Sequence, residues 1–234
     1  MNNFASLLQS IARMSDAERH ELLVYLQRSG DLSFPTDSIE EPHPAYGSPL
    51  RHLTRDEFFE FQEQSAMTYE YINGIIRAMS GPTVAHCLIT QNLFRVVDAR
   101  LRGGPCYAFC TGGQLNLTLG DDEIVYHPDL YVSCDRGVWD ERGIPNPRFV
   151  VEVLSPSTQP IDRREKLVNY CRVPSLEEYV IARQDRAELA VYRRGMSWSQ
   201  ELVSDPAATV EFRSLDVTVS LASVYEEVTF NPKR

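Results

Sequence analysis

The chain has 234 residues, 43% of them hydrophobic, and a formal net charge of -10. That length can bury one sizeable core with room for an appendage, and the acid excess excludes a protein whose whole surface binds polyanions, while leaving local basic strips open. The five cysteines, Cys87, Cys106, Cys110, Cys134 and Cys171, are odd in number and form no CxxC pair, so their spacing predicts reduced thiols rather than a disulfide framework or a structural zinc site. No basic-then-apolar leader opens the chain and no apolar run approaches bilayer length, which predicts a soluble, cytoplasmic protein without a membrane partner.

Residues 1–50 read as separable from the rest. Ser15 with Glu18 makes a capping-box pattern ahead of Leu22, Leu23 and Leu26 at helical spacing, and Gly30 is a stop. A connector with four prolines follows. The expected organisation is therefore an N-terminal helix and connector over 1–50 and one domain over 51–234. In that domain Thr54 and Glu57 repeat the capping box and start a helix, and Asn73-Gly74 inside TYEYINGIIRAMS is a hairpin signal. Val84, Leu88, Leu93, Val96, Val97 and Leu101 give helical spacing up to Gly103-Gly104, a long helix. Three strand candidates come next, CYAFCTGGQLNLTL, EIVYHPDLYV and RFVVEVL; then a helix over STQPIDRREKLVNYC and strands at EEYVIA and AELAVYRR. This order predicts an α/β domain, a mixed sheet flanked by helices.

Two carboxylates interrupt runs that otherwise read as buried strand: Asp129 in YHPDLYVSC and Glu152 in FVVEVLSPST. A charge inside a buried strand costs several kcal/mol unless it is paired or holds a metal. An ion pair with an arginine or lysine is the plain explanation for either one. Asp129, however, follows Pro128, which cannot donate to a sheet ladder and marks a strand entrance, bulge or edge. Glu152 lies near the end of its strand, where open α/β sheets build sites. In the following helix Asp162 and Lys166 are four apart and share a face, with Asn169 a further turn along. Ile161, Leu167, Val168 and Tyr170 are read as lying mostly on other sides. Spacing alone makes Asp162 and Lys166 an exposed ion pair; the position of the helix directly after the Glu152 strand turns the lysine toward the two acids. Two acids and a lysine around magnesium or manganese would form a metal-dependent phosphodiesterase centre, in which the lysine positions or deprotonates a water.

The ordered set YEYINGIIRAMSGPTVAH, HPDLYV, VVEVLSPST and DRREKLVNY…PSLEEYVIA resembles the Uma-two family, part of the PD-(D/E)XK, restriction-endonuclease-like superfamily, from about Leu53 onward. The resemblance places the superfamily's proline-aspartate on Pro128-Asp129 and its second acid on Glu152. It departs where the superfamily lysine usually stands, two residues after that acid, for Leu154 is there; a lysine moved to the next helix matches Lys166. By the same resemblance Glu70 is an acid beside the metal, against a plain reading as a strand-surface carboxylate. His86 contacts phosphate or a metal-bound water, against a helix-start hydrogen-bonding role. The implied cofactor is Mg2+ or Mn2+, held by Asp129, Glu152 and the carbonyl of Val153, with Asp162 in support. The implied function is an endonuclease hydrolysing phosphodiester bonds in DNA. Because nucleic-acid affinity comes largely from neutralising phosphates, a basic rim that includes Arg163, Arg164 and Arg172 is expected beside the cleft, and a homodimer is the expected assembly because cutting both strands of a duplex calls for two copies of one site. Two alternatives stay open: a catalytically inactive nucleic-acid-binding or regulatory member of the fold, and an interaction protein whose acids are ion-paired.

Overall fold

The computed structural model describes residues 53–79, 81–110, 112–154 and 165–230. The N-terminal helix and connector expected over 1–50 lie outside the described residues, as do Ser155, Ser157, Thr158, Asp162, Arg163 and Arg164. Helix α1 (Arg55–Gln64) starts as its capping box predicts: Thr54 accepts from the Glu57 N–H and the Glu57 carboxylate accepts from the Thr54 N–H at 2.8 Å. Its buried Phe58 and Phe59 pack with Tyr71 and Val125. Strands β1 (Tyr69–Ile72) and β2 (Ile75–Ala78) form the Asn73-Gly74 hairpin. Both turn residues have positive φ, 48° and 93°, the backbone that asparagine and glycine tolerate and that matches strand twist. Helix α2 (Val84–Leu101) spans the predicted residues and buries Ile89, Leu93 and Val97, spaced four apart on one face.

The next two strand candidates are each divided. CYAFCTGGQLNLTL becomes β3 (Tyr107–Cys110) and β4 (Leu115–Leu119), and EIVYHPDLYV becomes β5 (Asp122–Tyr126) and β6 (Leu130–Ser133). The halves belong to different sheets: β4 and β5 join the hairpin in a four-stranded antiparallel sheet ordered β2-β1-β5-β4, whereas β3 and β6 join a six-stranded one. The chain leaves one sheet for the other at Gly112-Gly113 and again at His127-Pro128. Gly112 has φ 87°, which a glycine adopts freely, and a Cβ on Gly113 would lie 2.2 Å from the Tyr131 hydroxyl. Pro128 has no N–H with which to continue a ladder.

Strands β7 (Phe149–Leu154) and β8 (Glu178–Arg183) run parallel at the centre of the six-stranded sheet, and every residue of both is buried, as expected of a parallel pair covered on both faces. Helix α3 (Leu167–Arg172) lies in the crossover between them. Outward come β9 (Leu189–Arg193) and β10 (Gln200–Val203), giving the order β10-β9-β8-β7-β6-β3. On one face Val151 and Val153 meet Ile89, Leu93 and Val97 of α2, together with the hairpin β11 (Thr209–Phe212) and β12 (Val217–Ser220) and helix α4 (Leu221–Val224). On the other, Val150 and Leu154 meet Leu167 and Tyr170 of α3 and the four-stranded sheet through Leu117, Ile124 and Tyr126. The predicted mixed α/β class holds, with three sheets among the described residues where one was expected. No described helix is long and apolar enough to cross a membrane.

The cysteines need a correction. Cys106 and Cys134 form a disulfide across 28 residues of sequence, while Cys87 and Cys171 are free thiols. Tyr107 pairs with Ser133 in the β3–β6 ladder, so the preceding and following residues meet one step further along, a juxtaposition that sequence spacing does not reveal. By loop-closure entropy the bond should add about 3–4 kcal/mol. Cys106→Ser/Cys134→Ser should therefore melt well below the native protein in urea or on heating, and a reductant should lower the native midpoint likewise; a melt indifferent to both would show that the bond contributes nothing.

A buried lysine between two carboxylates

Glu152 occupies the fourth position of β7 and shares a strand face with Val150 and Leu154, so alternation points its carboxylate into the core layer that contains Tyr170 and Tyr126. It is 4% exposed. Lys166, in the turn that leads into α3, is equally buried, and its Nζ lies 3.0 Å from Glu152 Oε1 and 2.8 Å from Oε1 of Glu70, itself 5% exposed on β1. One ammonium thus bridges carboxylates from two different sheets. The Tyr126 ring lies beneath the ammonium, its centroid 5.2 Å from Nζ, a favourable cation–π placement. Arg77, opposite Glu70 in the hairpin register, is 3.9 Å from Glu70 Oε2 and makes two 3.2 Å bonds to Glu165. Tyr126 donates to Glu165 at 3.3 Å and accepts from Asn169 at 2.7 Å. The hydroxyl of Tyr170 donates to Glu152 Oε1 at 2.9 Å.

Asp129 immediately precedes the neighbouring strand β6. Leu130 opposes Val151 where β6 pairs with β7, so continuing the register by one brings Asp129 opposite Glu152. The Asp129 Oδ2 accepts from the Val153 N–H at 2.6 Å, and Oδ1 lies 2.7 Å from His86 Nε2. His86 comes from the first turn of α2, where its N–H donates to the Thr83 cap at 3.1 Å. Pro128 lets the chain arrive at this point without a ladder bond, which turns the aspartate toward its neighbour's backbone. Beside it, His127 is held well below the usual imidazole value, at about 4, first by burial and then by the positive charge of Lys166.

The structure brings Glu70, Glu152 and Lys166 into direct contact and gathers Asp129, His86 and Val153 alongside. Arg172, expected on a basic rim, instead bonds Asp122 at 2.6 Å and the Leu119 carbonyl at 2.5 Å, pinning the β4–β5 turn. Four members of the network escape the sequence reading: Arg77, Tyr126, Glu165 and Tyr170. Tyr170 had a signal, because it stands four residues after Lys166 and so shares its face; its apolar ring placed it with the core side. Arg77 and Tyr126 had none, since their partners are set by hairpin register and by the contact between sheets.

Fold and geometry together define an α/β protein with an acid–lysine centre at the ends of adjacent sheet strands. Residues 55–222 match the family described as "Uma2: Putative restriction endonuclease", and the chain belongs to that family. It is 27% identical over 185 residues to "Uncharacterized protein slr1290" of Synechocystis sp., covering 78% of this chain and 96% of that one. It is 24% identical over 170 residues to "Uncharacterized protein sll1609" of the same organism, covering 70% and 95%. The crystal structure of "a putative nuclease belonging to DUF820" from Anabaena variabilis superposes with a TM-score of 0.62 at 21% identity, over 76% of this chain and 99% of that one. At that identity the likeness is one of fold.

Two outcomes follow from the burial. Lys166→Met leaves Glu70 and Glu152 without their shared cation and should cost about 3–5 kcal/mol in urea denaturation; adding Glu70→Gln should recover part of the loss, and strict additivity would show that the pair is not coupled. His127 should supply an acid-labile increment. Its folded value is depressed from 6.5 to about 4, so the unfolded chain takes up the proton first. The stabilisation is then complete above about pH 6.5 and lost as pH falls toward 4, with a ceiling of about 3 kcal/mol. His127→Phe should flatten that stretch of the stability profile.

Proposed function

We propose that the chain is a metal-dependent endonuclease that hydrolyses phosphodiester bonds in DNA on a restriction-endonuclease-like, PD-(D/E)XK framework. The observation that carries this reading is the Glu70–Lys166–Glu152 bridge, with Asp129 one residue before the adjoining strand, whose Leu130 opposes Val151. Membership of a family whose description reads "Putative restriction endonuclease" supports it. Among the described residues no three His, Cys, Asp or Glu side chains cluster as a metal cage. The fit is instead to an ion that takes one or two carboxylates and keeps several waters, the habit of magnesium. Asp129 and Glu152 provide hard oxygen ligands of that kind, and the Val153 carbonyl would be a third.

The bound ion would acidify a coordinated water and neutralise charge on the phosphoryl group. The chain's own groups do the rest. His86 and the Val153 N–H hold the Asp129 carboxylate in place, and Glu70 anchors Lys166 beside Glu152. From there the ammonium orients the attacking water by hydrogen bonding and offsets charge that develops in the transition state. Because a cut through a duplex calls for two copies of one site, we extend the proposal to a homodimer with closed two-fold symmetry.

A second reading has its own support. Lys166 compensates Glu70 and Glu152, and His86 meets Asp129, so an ion-pair network explains the buried acids in a catalytically silent member that binds nucleic acid or serves as an interaction protein. Mn2+ titration separates the two. On the nuclease reading, Asp129→Ala and Glu152→Ala should lose both Mn2+ binding and DNA cleavage. Lys166→Met, assayed below its melting point, should keep the ion and lose at least about 100-fold in rate. Native protein that binds no Mn2+ would favour the silent reading, and full cleavage by Asp129→Ala would remove the nuclease.

A further inference from the structure

Lys166 and Tyr170 stand one helical turn apart and address the same atom. Their Nζ and hydroxyl lie 3.0 and 2.9 Å from Glu152 Oε1. Tyr170 is fully buried, and its ring is wedged between Tyr126 and Tyr179, with centroids at 5.5 and 4.9 Å. Packing therefore fixes where the hydroxyl points. Burial, reinforced by the charge on Glu152, pushes that hydroxyl well above the usual phenol range, so it remains a proton donor at any physiological pH. The terminal torsion of a glutamate is intrinsically broad; two charge-assisted donors on one oxygen narrow it, and the direction of the second oxygen is thereby set.

We infer that Tyr170 is a positioning residue: with Lys166 it locks the Glu152 carboxylate in the orientation that turns Oε2 toward a divalent cation. This rests on the metal-dependent reading above and adds to it a group that touches neither the ion nor the substrate. Such supports of a metal ligand commonly matter nearly as much as the ligand itself.

The test compares Mn2+ binding to native protein and to Tyr170→Phe by calorimetry across pH 5 to 9. Phenylalanine removes one oxygen and keeps the ring contacts. The expected result is a loss of roughly tenfold or more in Mn2+ affinity, together with an upward move of the pH at which binding is half lost, because the carboxylate form has lost a donor. A purely structural role would lower the melting temperature and leave that pH midpoint where it was. An affinity within about twofold of native and an unmoved midpoint would overturn the inference while the nuclease reading stands. Native protein without Mn2+ affinity would overturn both. Should Tyr170→Phe fail to fold, native protein labelled with 13C at the tyrosine ζ position decides: the Tyr170 resonance should shift as Mg2+ saturates, and an unmoved resonance would overturn the inference.

Discussion

One ammonium shared by two buried carboxylates is the constraint on which the arrangement depends. Glu70 and Glu152 are each about 95% removed from water, and Lys166 is the cation they share, offsetting a desolvation cost of several kcal/mol for each buried carboxylate. The two acids come from different sheets, β1 of the four-stranded and β7 of the six-stranded, and the lysine comes from the crossover that leads to β8. The bridge therefore ties together both sheets and α3. It also sets their order of dependence: the lysine can reach both acids only if the four-stranded sheet, through Tyr126, packs into the same layer as Tyr170 of α3 and the face of the six-stranded sheet.

That meeting is made by the two places where the chain changes sheet. Gly112-Gly113 and His127-Pro128 divide what read as continuous strands, and each supplies a backbone property that an ordinary residue lacks: a left-handed φ at Gly112, room for the Tyr131 hydroxyl at Gly113, and a missing N–H at Pro128. The second crossing delivers Asp129 to the edge of β7, where the Val153 N–H and His86 receive it. The break in the strand and the position of the acid are thus one feature.

A contrasting carboxylate sits at the other end of the parallel pair. Glu178, 1% exposed at the start of β8, accepts from Arg193 at 2.7 Å, from the Arg213 and Ser214 N–H groups at 3.1 and 2.7 Å, and from the Ser214 hydroxyl at 2.5 Å. Those donors fasten the turn of the β11–β12 hairpin to the sheet, and the group is fully engaged in holding the fold. Burial of an acid in a strand is therefore not by itself a sign of chemistry. What sets Glu152 apart is its place at a strand end beside a second acid from the neighbouring strand.

Local signals were legible wherever the determinant was local. The Thr54–Glu57 box, the Asn73-Gly74 turn and the helical spacing from Val84 to Leu101 each specify an element through contacts within a few residues, and all three elements are realised, although Val84 stays exposed and Ile89 joins Leu93 and Val97 on the buried face. Asp129 and Glu152 stood out in the sequence because each is a charge in an apolar run, whereas Lys166, inside the charged run DRREK, was reached only through the position of its helix after the Glu152 strand. The division into sheets, the Cys106–Cys134 bond, the diversion of Arg172 to the β4–β5 turn and the Tyr170 hydroxyl on Glu152 were decided only by the tertiary structure. Each depends on strand register or on the packing of one layer against another, and these bring together residues whose separation in sequence carries no trace of the contact.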